Sequence, residues 1–404
     1  DEGKIHLEDK LLEYVRDELP EEYDPALEDL TIYHLLTMQA GSKECCNNVW
    51  FSKLTKDWET NWLKQPKIRE DIGKAFHYDS GCSYTLSRIV TKVMGKNCLQ
   101  ERVFDKMGFG EINWLTSPEG HNTGGWGMYL TAGKISALAQ LLLQKGEWNG
   151  EQLIPAWWTE EIGKMRVVIP EDEKKALTHY AYHIKAGKEI FAAEGAFGQY
   201  LICFRDYPVA IGITAGASEY LAADICLKYI KEAVQIPCEK ENLEEAQEKL
   251  EEKLVHLTLP KPEGDKKDTN EATKKLLNKR IVFTENPRQI ESAVISTVGE
   301  ELKLELTVAG EKKILFAGYK DWKCNDMYPN DFTKRYHAVS YAFDEDALYL
   351  SVGLLNTSYR EEYCLWVNSE NVVVGTWRPN VTYLPAEEDM TWKFTGTFEP
   401  SCIL

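Results

Sequence analysis

The 404-residue sequence predicts an α+β domain, in which helices flank an antiparallel sheet, followed by a small all-β domain. Residues 200–204 and 209–213 have the pattern of strands joined by the turn Asp206-Tyr207-Pro208, and strands joined by so short a turn must run antiparallel. The amphipathic residues 218–234 follow and supply a helix for one face of the sheet. After Arg280 the apolar residues alternate with a period of two, which predicts the all-β domain.

Apolar residues at helical spacing predict two helices upstream of this hairpin. The first ends at Gly95, a predicted C-terminal cap, and the second begins at Thr131, a predicted N-cap, and ends near Gly146. A tight turn at Asn149-Gly150 and a helix that starts at Pro155 follow. The apolar residues are Leu86, Ile89, Val90 and Val93 in the first helix and Ile135, Leu138, Leu141 and Leu142 in the second.

Residues 237–279 differ in composition from the segments on both sides. Glu and Lys crowd residues 239–253, and Pro, Gly and charged residues fill 257–268. This composition predicts a solvated helix that runs into a linker, with an acidic docking segment as the alternative. We therefore expect one domain over residues 1–236 and a second over residues 280–404.

Short strands dominate the predicted second domain. Residues 302–308 alternate between apolar and polar side chains, and several such strands within about 120 residues predict a small antiparallel barrel or sandwich. Its tryptophans either form the core or line a ligand cavity. These tryptophans are Trp322, Trp366, Trp377 and Trp392, and further strands are predicted at 314–316, 348–352, 363–367 and 372–377.

The composition argues against two classes of partner. The 47 Lys and Arg residues against 65 Asp and Glu residues give a net charge of −18, which disfavours binding to nucleic acid. No apolar run approaches the roughly 18 to 20 residues that a membrane-spanning helix needs, so we expect no membrane partner. The chain opens at Asp1 without the basic and apolar regions of a secretory leader. The sequence leaves the oligomeric state open.

The ten cysteines have no metal-ligand spacing and include no C-x-x-C pair. Several lie in apolar segments, where a free cysteine behaves as a small hydrophobic residue. We interpret them as reduced thiols of a cytoplasmic protein, with a disulfide framework as the alternative. The adjacent Cys45 and Cys46 are interpreted as unreactive, with a reactive pair as the alternative. Motifs for phosphate-binding loops, dinucleotide-binding folds and zinc proteases are also absent, so no metal or organic cofactor is expected.

Four segments, taken in order and spacing, resemble the serine β-lactamase and penicillin-binding-protein-like hydrolases, in particular their class C-like esterase and peptidase branch. The resemblance covers residues 1 to about 236 and implies a β-lactamase-like antiparallel sheet flanked by helices. The all-β tail resembles a lipocalin-like extension of some bacterial members. The four segments are TIYHLLTMQAG (31–41), FHYDSGCSYTLSRIVTKVMGK (76–96), TGGWGMYLTAGKISALAQLLLQKGEWNGEQLIPAWW (123–158) and AAEGAFGQYLI (192–202).

The family's second motif, Tyr-x-Asn, falls on Tyr78-Asp79-Ser80. The resemblance implies that Tyr78 is the catalytic general base or proton relay. An ordinary phenol has a pKa of about 10, so this role needs a neighbouring cation. Ser80 takes the position of the Asn that holds the substrate, and a structural tyrosine before a helix is the alternative for Tyr78.

The family's third motif, Lys-Thr-Gly, falls on Ala193-Glu194-Gly195. Gly195 would allow close backbone approach and the N–H of Ala196 would face the acyl oxygen of the substrate. The motif's cation is lost and Glu194 does not replace it, which argues for small esters or amides over penicillins. Trp126 in the Gly-Gly-Trp-Gly loop is a candidate wall of the substrate cleft, with core packing as the alternative.

The family's first motif, Ser-x-x-Lys, is absent from all 404 residues. By resemblance it would lie roughly 15 residues before Asp1, so we expect an N-terminally truncated chain that is inactive alone. The complete protein is then expected to be a serine hydrolase that acts through an acyl-enzyme on a small ester, amide or peptide-like substrate. The alternative is an inactive binding protein of the same fold for a cell-wall or small-molecule ligand.

Overall fold

The computed structural model describes residues 2–170, 175–217, 222–236, 243–265, 273–325, 336–344, 346–382 and 390–399. These residues form two compact units, one within Asp1–Thr214 and Tyr220–Gln235 and the other mainly within Ile236–Leu404. The first unit combines helices with an antiparallel sheet, and the second is a β-barrel. The predicted fold class is therefore confirmed.

Most of the helices belong to the first unit. Of the helices in the described residues, none has the length and apolar character that crossing a bilayer requires. The α-helices are α1 (Leu11–Val15), α2 (Ile32–Leu36), α3 (Asn48–Phe51), α4 (Trp58–Leu63), α5 (Ser80–Met94), α6 (Ala132–Leu143), α7 (Ala156–Ile162), α8 (Ala222–Ala233) and α9 (Leu243–Val255). Short 3-10 helices cover Arg16–Glu18, Pro25–Asp29, Arg69–Asp71 and Thr273–Leu276, and a π-helix covers Gln100–Phe104.

Local sequence accounts for the ends of the helices that flank the site. The Asp79 carboxylate accepts a hydrogen bond from the backbone N–H of Gly81 at the start of α5, and the Thr131 hydroxyl accepts one from Lys134 at the start of α6. Gly95 follows α5 with a φ of +92°, as a predicted C-terminal cap requires. Helix α8 matches the end of the helix predicted at 218–234, whose residues 218–221 lie outside the described residues.

The sheet of the first unit has six antiparallel strands in the order β3-β4-β5-β6-β7-β8. The predicted hairpin is present as β7 and β8, with β6 on its other side. A separate two-stranded hairpin, β1 with β2, turns at the predicted Asn149-Gly150. The strands are β1 (Glu147–Trp148), β2 (Glu151–Gln152), β3 (Val167–Val168), β4 (His179–Tyr180), β5 (Lys185–Ala186), β6 (Ile190–Gly195), β7 (Gln199–Phe204) and β8 (Ala210–Ile213).

Helices cover both faces of this sheet because β7 alternates its apolar side chains between them. Tyr200 and Ile202 pack in one cluster with Ala223 of α8. Leu201 and Cys203 pack in a second cluster with Ala139 of α6. The sheet is therefore packed between α8 on one face and α6 on the other. The end of β6 and the start of α5 lie in this same unit.

The second unit begins with a helix that has no buried residue, α9, in the segment predicted as a solvated helix. The predicted strands at 302–308, 314–316, 348–352 and 363–367 lie within longer strands, and the one predicted at 372–377 overlaps a strand that begins at Val373. The described residues contain five more strands that were not predicted. The strands are β9 (Arg280–Phe283), β10 (Ile290–Val298), β11 (Glu301–Val308), β12 (Glu311–Tyr319), β13 (Lys323–Asn325), β14 (His337–Phe343), β15 (Ala347–Leu354), β16 (Arg360–Val367), β17 (Val373–Pro379) and β18 (Trp392–Phe398).

Nine of these strands close into a barrel, which decides between the predicted barrel and sandwich. A parallel pairing of Gly318 and Tyr319 in β12 with Ser340 and Tyr341 in β14 closes the antiparallel series that runs from β12 through β9 and β18 to β14. Closure removes the open edges that a sandwich would leave. The short strand β13 pairs with β14 outside the closed ring.

The predicted tryptophan set divides between the interior and the exterior of the barrel. Trp377 is buried in the barrel core, and Trp392 packs against that core. Trp366 neighbours the buried Leu365 along β16, so strand alternation points its side chain outward. Trp322 lies near Gly353, which alternates with the interior Val352 and therefore belongs to the outer face. The core interpretation therefore holds for Trp377 and Trp392, while Trp322 and Trp366 lie on the outer face.

Candidate functional site

The extended residues 76–79 lead directly into α5 and carry the predicted Tyr78. The Tyr78 ring meets the ring of Tyr180 in β4 edge-on, with 6.4 Å between the centroids. The Phe76 ring lies 5.1 Å from the same Tyr180 ring. Two alternate side chains of this segment therefore face β4, and they place the start of α5 against the sheet.

Asp79 holds this segment in place from the inside of the protein. Its side chain is fully buried and its two carboxylate oxygens accept four hydrogen bonds. The donors are the Ser42 hydroxyl at 2.6 Å, the Trp62 indole N–H at 2.8 Å, and the backbone N–H groups of Gly81 at 2.9 Å and Cys46 at 3.0 Å. A buried carboxylate is stable only when its oxygens accept hydrogen bonds in this way. The four hydrogen bonds join three chain segments into a rigid junction at the start of α5.

Lys67 supplies the positive charge behind this junction. It is buried, its Nζ donates to the Ser42 hydroxyl at 3.3 Å, and it lies 4.3 Å from the Trp62 ring centroid. Ser42 therefore bridges a buried cation and the buried Asp79 carboxylate. The sequence analysis missed Ser42, Trp62 and Lys67, since they are 12 to 37 residues from Asp79 and no local pattern links them.

Tyr78 is protonated at neutral pH in this chain. Burial of the phenol raises its pKa above the ordinary value of 10, and a hydrogen bond with the Ser80 hydroxyl opposes that shift only in part. Among the described residues, the other groups that act on it are Asp79 and two cysteines, Cys45 and Cys82, all of which raise the pKa further. The 45% exposure of Tyr78 leaves its edge accessible, so it can donate a hydrogen bond to a ligand.

The glycine loop at 123–127 packs on the first two turns of α5. A Cβ on Gly125 would lie 3.2 Å from the Cβ atoms of Ser80 and Ser83, and a Cβ on Gly124 would lie 2.3 Å from the Ser83 carbonyl oxygen. The loop can approach this closely only because both positions are glycine. Ser80, the first residue of α5, is buried beneath the loop.

Trp126 projects from the same loop toward aromatic residues of the core. Its ring lies 5.3 Å from the Phe51 ring and 5.9 Å from the Trp58 ring, and its indole remains partly exposed. Most contacts of Trp126 are therefore those of a residue that packs against the core, which was the alternative to a wall of the substrate cleft. Its role as a wall of the substrate cleft stays a prediction.

The third predicted motif lies at the end of β6. The Glu194 carboxylate forms an ion pair with Lys185 of β5 at 3.0 Å, and both side chains are largely buried. Gly195 faces its hairpin partner, since a Cβ there would lie 3.2 Å from the Cβ of Gln199. Ala196 begins the turn to β7, and its carbonyl accepts from the Gln199 amide at 3.4 Å. The sequence analysis missed Lys185, because only the pairing of β5 with β6 brings its side chain beside Glu194 and no local pattern indicates that pairing.

Strands β4 and β5 connect the two motifs. Tyr78 contacts Tyr180 in β4, and Tyr180 is the cross-strand partner of Lys185 in β5. Lys185 in turn holds Glu194 at the end of β6. The structure therefore brings Tyr78 and Ser80 together and links them to Glu194 through two intermediate side chains.

His183 and Ser83 form a partly buried polar pair that sequence reasoning also missed. The Nε2 atom of His183 lies 3.0 Å from the Ser83 hydroxyl, while Nδ1 lies 3.4 Å from the Leu36 carbonyl oxygen. Burial lowers the pKa of His183 to about 4, so its imidazole is neutral at physiological pH. The pair ties the turn after β4 to α5, across a sequence distance of 100 residues.

A cavity of about 750 Å³ borders the segment that carries Tyr78. Phe76 and His77 form part of its wall, together with Lys74 and Arg166, and the His77 ring lies 2.8 Å from the Asp71 carboxylate. Among the described residues, the lining does not include the predicted site residues Tyr78, Ser80 or Glu194. Its lining carries charged groups of both signs.

Comparison with known proteins places these elements in a family. The family model for β-lactamases matches residues 1–233. No curated protein matches the chain. The fold is similar to several solved structures, all of which are distant in sequence.

Three of these structures illustrate the similarity. A provisionally assigned 6-aminohexanoate-dimer hydrolase from Bacillus anthracis is 19% identical, with 59% of this chain and 69% of that chain covered and a TM-score of 0.45. An octameric penicillin-binding protein homologue from Pyrococcus abyssi is 12% identical, with 98% and 83% covered and a TM-score of 0.43. A penicillin-binding protein homologue from Caulobacter crescentus is 16% identical, with 52% and 71% covered and a TM-score of 0.41.

Proposed function

Because this chain belongs to the β-lactamase family through residues 1–233, we propose that the protein is a serine hydrolase. It acts through an acyl-enzyme on a small ester, amide or peptide-like substrate. The observation that carries the proposal is the Tyr78–Ser80 segment, whose exposed Tyr78 phenol and buried Ser80 hydroxyl are held at the start of α5 by the buried Asp79. A site must hold its proton-transfer groups this rigidly to be effective in catalysis.

The nucleophile in this proposal is the serine of a Ser-x-x-Lys motif, which the 404 residues do not contain. Its hydroxyl attacks the substrate carbonyl while the nearby lysine and Tyr78 carry its proton toward the leaving group. The lysine is also the cation that Tyr78 needs, since a neighbouring positive charge lowers the pKa of a phenol. Water then hydrolyses the acyl-enzyme and restores the serine.

Ser80 and the turn after β6 are the proposed substrate contacts. The Ser80 hydroxyl, which bonds to Tyr78 and lies buried beneath the glycine loop, is proposed to bind a polar group of the substrate through this contact with Tyr78. The backbone N–H of Ala196 is the proposed donor to the oxyanion that develops on the carbonyl oxygen. Trp126 and Gly195 are proposed to line the cleft on either side.

The Glu194–Lys185 ion pair supports a substrate without a carboxylate. Penicillin-type substrates need a cation for their carboxylate, and Glu194 already engages the ammonium group of Lys185 at 3.0 Å. The pairing leaves this edge of β6 close to neutral. Neutral esters and amides are therefore the preferred substrate class.

The cysteines support a reducing compartment, and we propose a cytoplasmic location on that ground. The eight cysteines within the described residues are all free thiols. Burial raises the pKa of most of them, including Cys46 and Cys203 to about 12, so they stay protonated. Reactivity loses support at Cys46, which is buried and whose pKa burial raises to about 12, while the Cys45 side chain is exposed.

Fluorophosphonate labelling tests the hydrolase directly. The protein is produced with upstream residues that include a Ser-x-x-Lys, and a labelled fluorophosphonate is expected to modify that serine. Tyr78→Phe should slow labelling by about 100-fold, because the phenol is part of the proton transfer. Tyr229→Phe, an exposed tyrosine on α8, should leave the rate unchanged. The 404-residue chain should not label.

The same experiment identifies the alternative function. A folded, extended protein that does not react with the probe would contradict the hydrolase and favour an inactive binding protein of the same fold. A Tyr78→Phe variant that labels at the parent rate would leave the hydrolase standing but remove Tyr78 from its mechanism.

A further inference from the structure

The barrel contains a buried carboxylate that the proposed hydrolase does not use. Glu361 lies on β16 with its side chain facing the interior and only 6% of its surface exposed. One of its oxygens accepts a hydrogen bond from the Tyr363 hydroxyl at 2.6 Å, and the other lies 3.1 Å from the Arg288 guanidinium. The charge of the Glu361 carboxylate is therefore balanced by Arg288.

Two tryptophans form the wall beside this carboxylate. Trp377 of β17 is paired across the strands with Tyr363 on one side and with Trp392 of β18 on the other. The two indole rings are 4.8 Å apart, and the Arg288 guanidinium lies 5.9 Å from the Trp377 ring. We call Arg288, Glu361, Tyr363, Trp377 and Trp392 the barrel-end cluster.

The barrel-end cluster has an unused hydrogen-bond donor. Trp377 is 4% exposed, and its indole N–H has no acceptor among the described residues. A buried donor without an acceptor costs free energy, so few are retained in folded proteins without a reason. A ligand that carries an acceptor would satisfy it.

The surface of the barrel-end cluster is partly exposed to solvent. Tyr363 and Trp392 belong to the interior face of their strands, yet both remain partly exposed. Arg288, from the loop between β9 and β10, keeps 38% of its side chain exposed. A small molecule can therefore reach the aromatic rings without unfolding of the barrel.

We propose that the barrel-end cluster binds a small, uncharged ligand that carries an amide group. The amide carbonyl accepts the hydrogen bond of the Trp377 indole N–H, and the amide N–H donates to the Glu361 carboxylate. The planar remainder of the ligand packs against Trp392. The Arg288–Glu361 ion pair carries no net charge and its two groups already engage each other, so neither an anion nor a cation gains a free partner there, and a neutral ligand is preferred.

A titration with benzamide, followed by NMR on the ¹⁵N-labelled 404-residue chain, tests this site. Trp377→Phe identifies the Trp377 indole resonance by its disappearance. Benzamide should shift that resonance in a saturable manner. Benzamidine and benzoate carry the same ring with a positive and a negative charge, and each should bind at least tenfold more weakly than benzamide.

Matched variants test the role of the carboxylate. Glu361→Gln should weaken benzamide binding about tenfold, while Glu362→Gln, on the outer face of the same strand, should leave it unchanged. Trp392→Leu is a second variant that should weaken binding if Glu361→Gln does not fold. The absence of a saturable shift would overturn the proposal, and so would tighter binding of benzamidine or benzoate.

Discussion

At the residue scale, Asp79 does more than cap a helix. A helix cap needs one acceptor, yet Asp79 receives hydrogen bonds from a tryptophan, a serine and two backbone N–H groups. The carboxylate therefore decides where Tyr78 and Ser80 stand, because it lies between them in the chain and cannot move. The same junction explains how a polar residue can be fully buried beside a candidate active site.

Asp79→Asn is expected to destabilise the protein by about 3 kcal/mol in the free energy of unfolding, because an amide nitrogen would face several donors. Urea denaturation followed by circular dichroism measures this difference. Asp57→Asn is the matched control, since Asp57 precedes α4 without accepting a side-chain cap hydrogen bond. Equal effects of the two substitutions would contradict the role of Asp79.

Glu59 is a second buried carboxyl group, and it makes stability depend on pH. Burial raises its pKa to about 7, although the Arg88 guanidinium and a hydrogen bond from the Thr85 hydroxyl oppose the shift. A carboxyl group whose pKa is higher in the folded state than its ordinary 4.5 is protonated more readily when folded. The fold therefore loses stability as the pH rises from about 4.5 to about 7.

Glu59→Gln removes this ionisation and keeps an acceptor for Thr85. Relative to the parent, the free energy of unfolding of the variant should increase by up to about 3 kcal/mol between about pH 4 and about pH 8. Urea denaturation at both pH values measures it. Glu147→Gln, at an exposed position on β1, should leave the pH dependence unchanged. A difference between Glu59→Gln and the parent that stays constant with pH would show that Glu59 does not titrate in this range.

At the element scale, α5 is the organising helix of the site. Its first turn carries Ser80, and the glycine loop lies against it. The turn after β4 reaches the same helix through the His183–Ser83 contact. The backbone of the glycine loop comes very close to α5. The loop is therefore more sensitive to added side-chain volume than its surface position suggests.

Gly124→Ala tests this close approach. Gly124 has a φ of +70°, and a Cβ there would lie 2.3 Å from the Ser83 carbonyl oxygen, so we expect a loss of about 3 kcal/mol in the free energy of unfolding. Gly120→Ala is matched, because Gly120 has a φ of +83° with its nearest neighbour 3.9 Å away. It should cost about 1 kcal/mol, from backbone strain alone. Thermal denaturation of both variants separates strain from packing, and similar losses would contradict the packing argument.

At the scale of the whole molecule, the chain consists of two units that each have a core of their own. The helical and sheet clusters of the first unit involve residues up to 230, and the barrel cluster begins at Leu276. Between them, α9 presents Leu250 and Leu254 to solvent at more than half of their surface. We propose that residues 237–279 contain the linker between domains at 1–236 and 280–404, and that the linker ends before Leu276, which already packs in the barrel core.

Limited proteolysis with trypsin tests this organisation. A helix with no buried residue opens more readily than a barrel strand, so the first cut is expected within residues 237–279, for example at Lys249 or Lys253. Mass spectrometry of the early fragments locates the cut. Lys303, within β11 of the closed barrel, should be cleaved much later. A first cut within β11 or within the sheet of the first unit would contradict the two-domain arrangement.

The sequence by itself determined the local structure of both units. Asp79, Gly95 and Thr131 mark helix ends because capping depends on residues a few positions apart. Alternation in residues 302–308 and the short turn at 206–208 determine strands and a hairpin for the same reason. The quoted segments were also enough to identify the family, which the match over residues 1–233 confirms.

Only the tertiary structure decided which distant residues meet. Lys185 reaches Glu194 through strand pairing, Ser83 meets His183 across 100 residues, and the pairing of β12 with β14 makes a barrel of strands that could equally have formed a sandwich. The tertiary structure also decided that Trp377 points into the barrel and Trp366 points out of it. A shift of one residue in strand register moves a side chain to the opposite face. Local periodicity carries no information about such contacts, because they depend on how complete elements pack against one another.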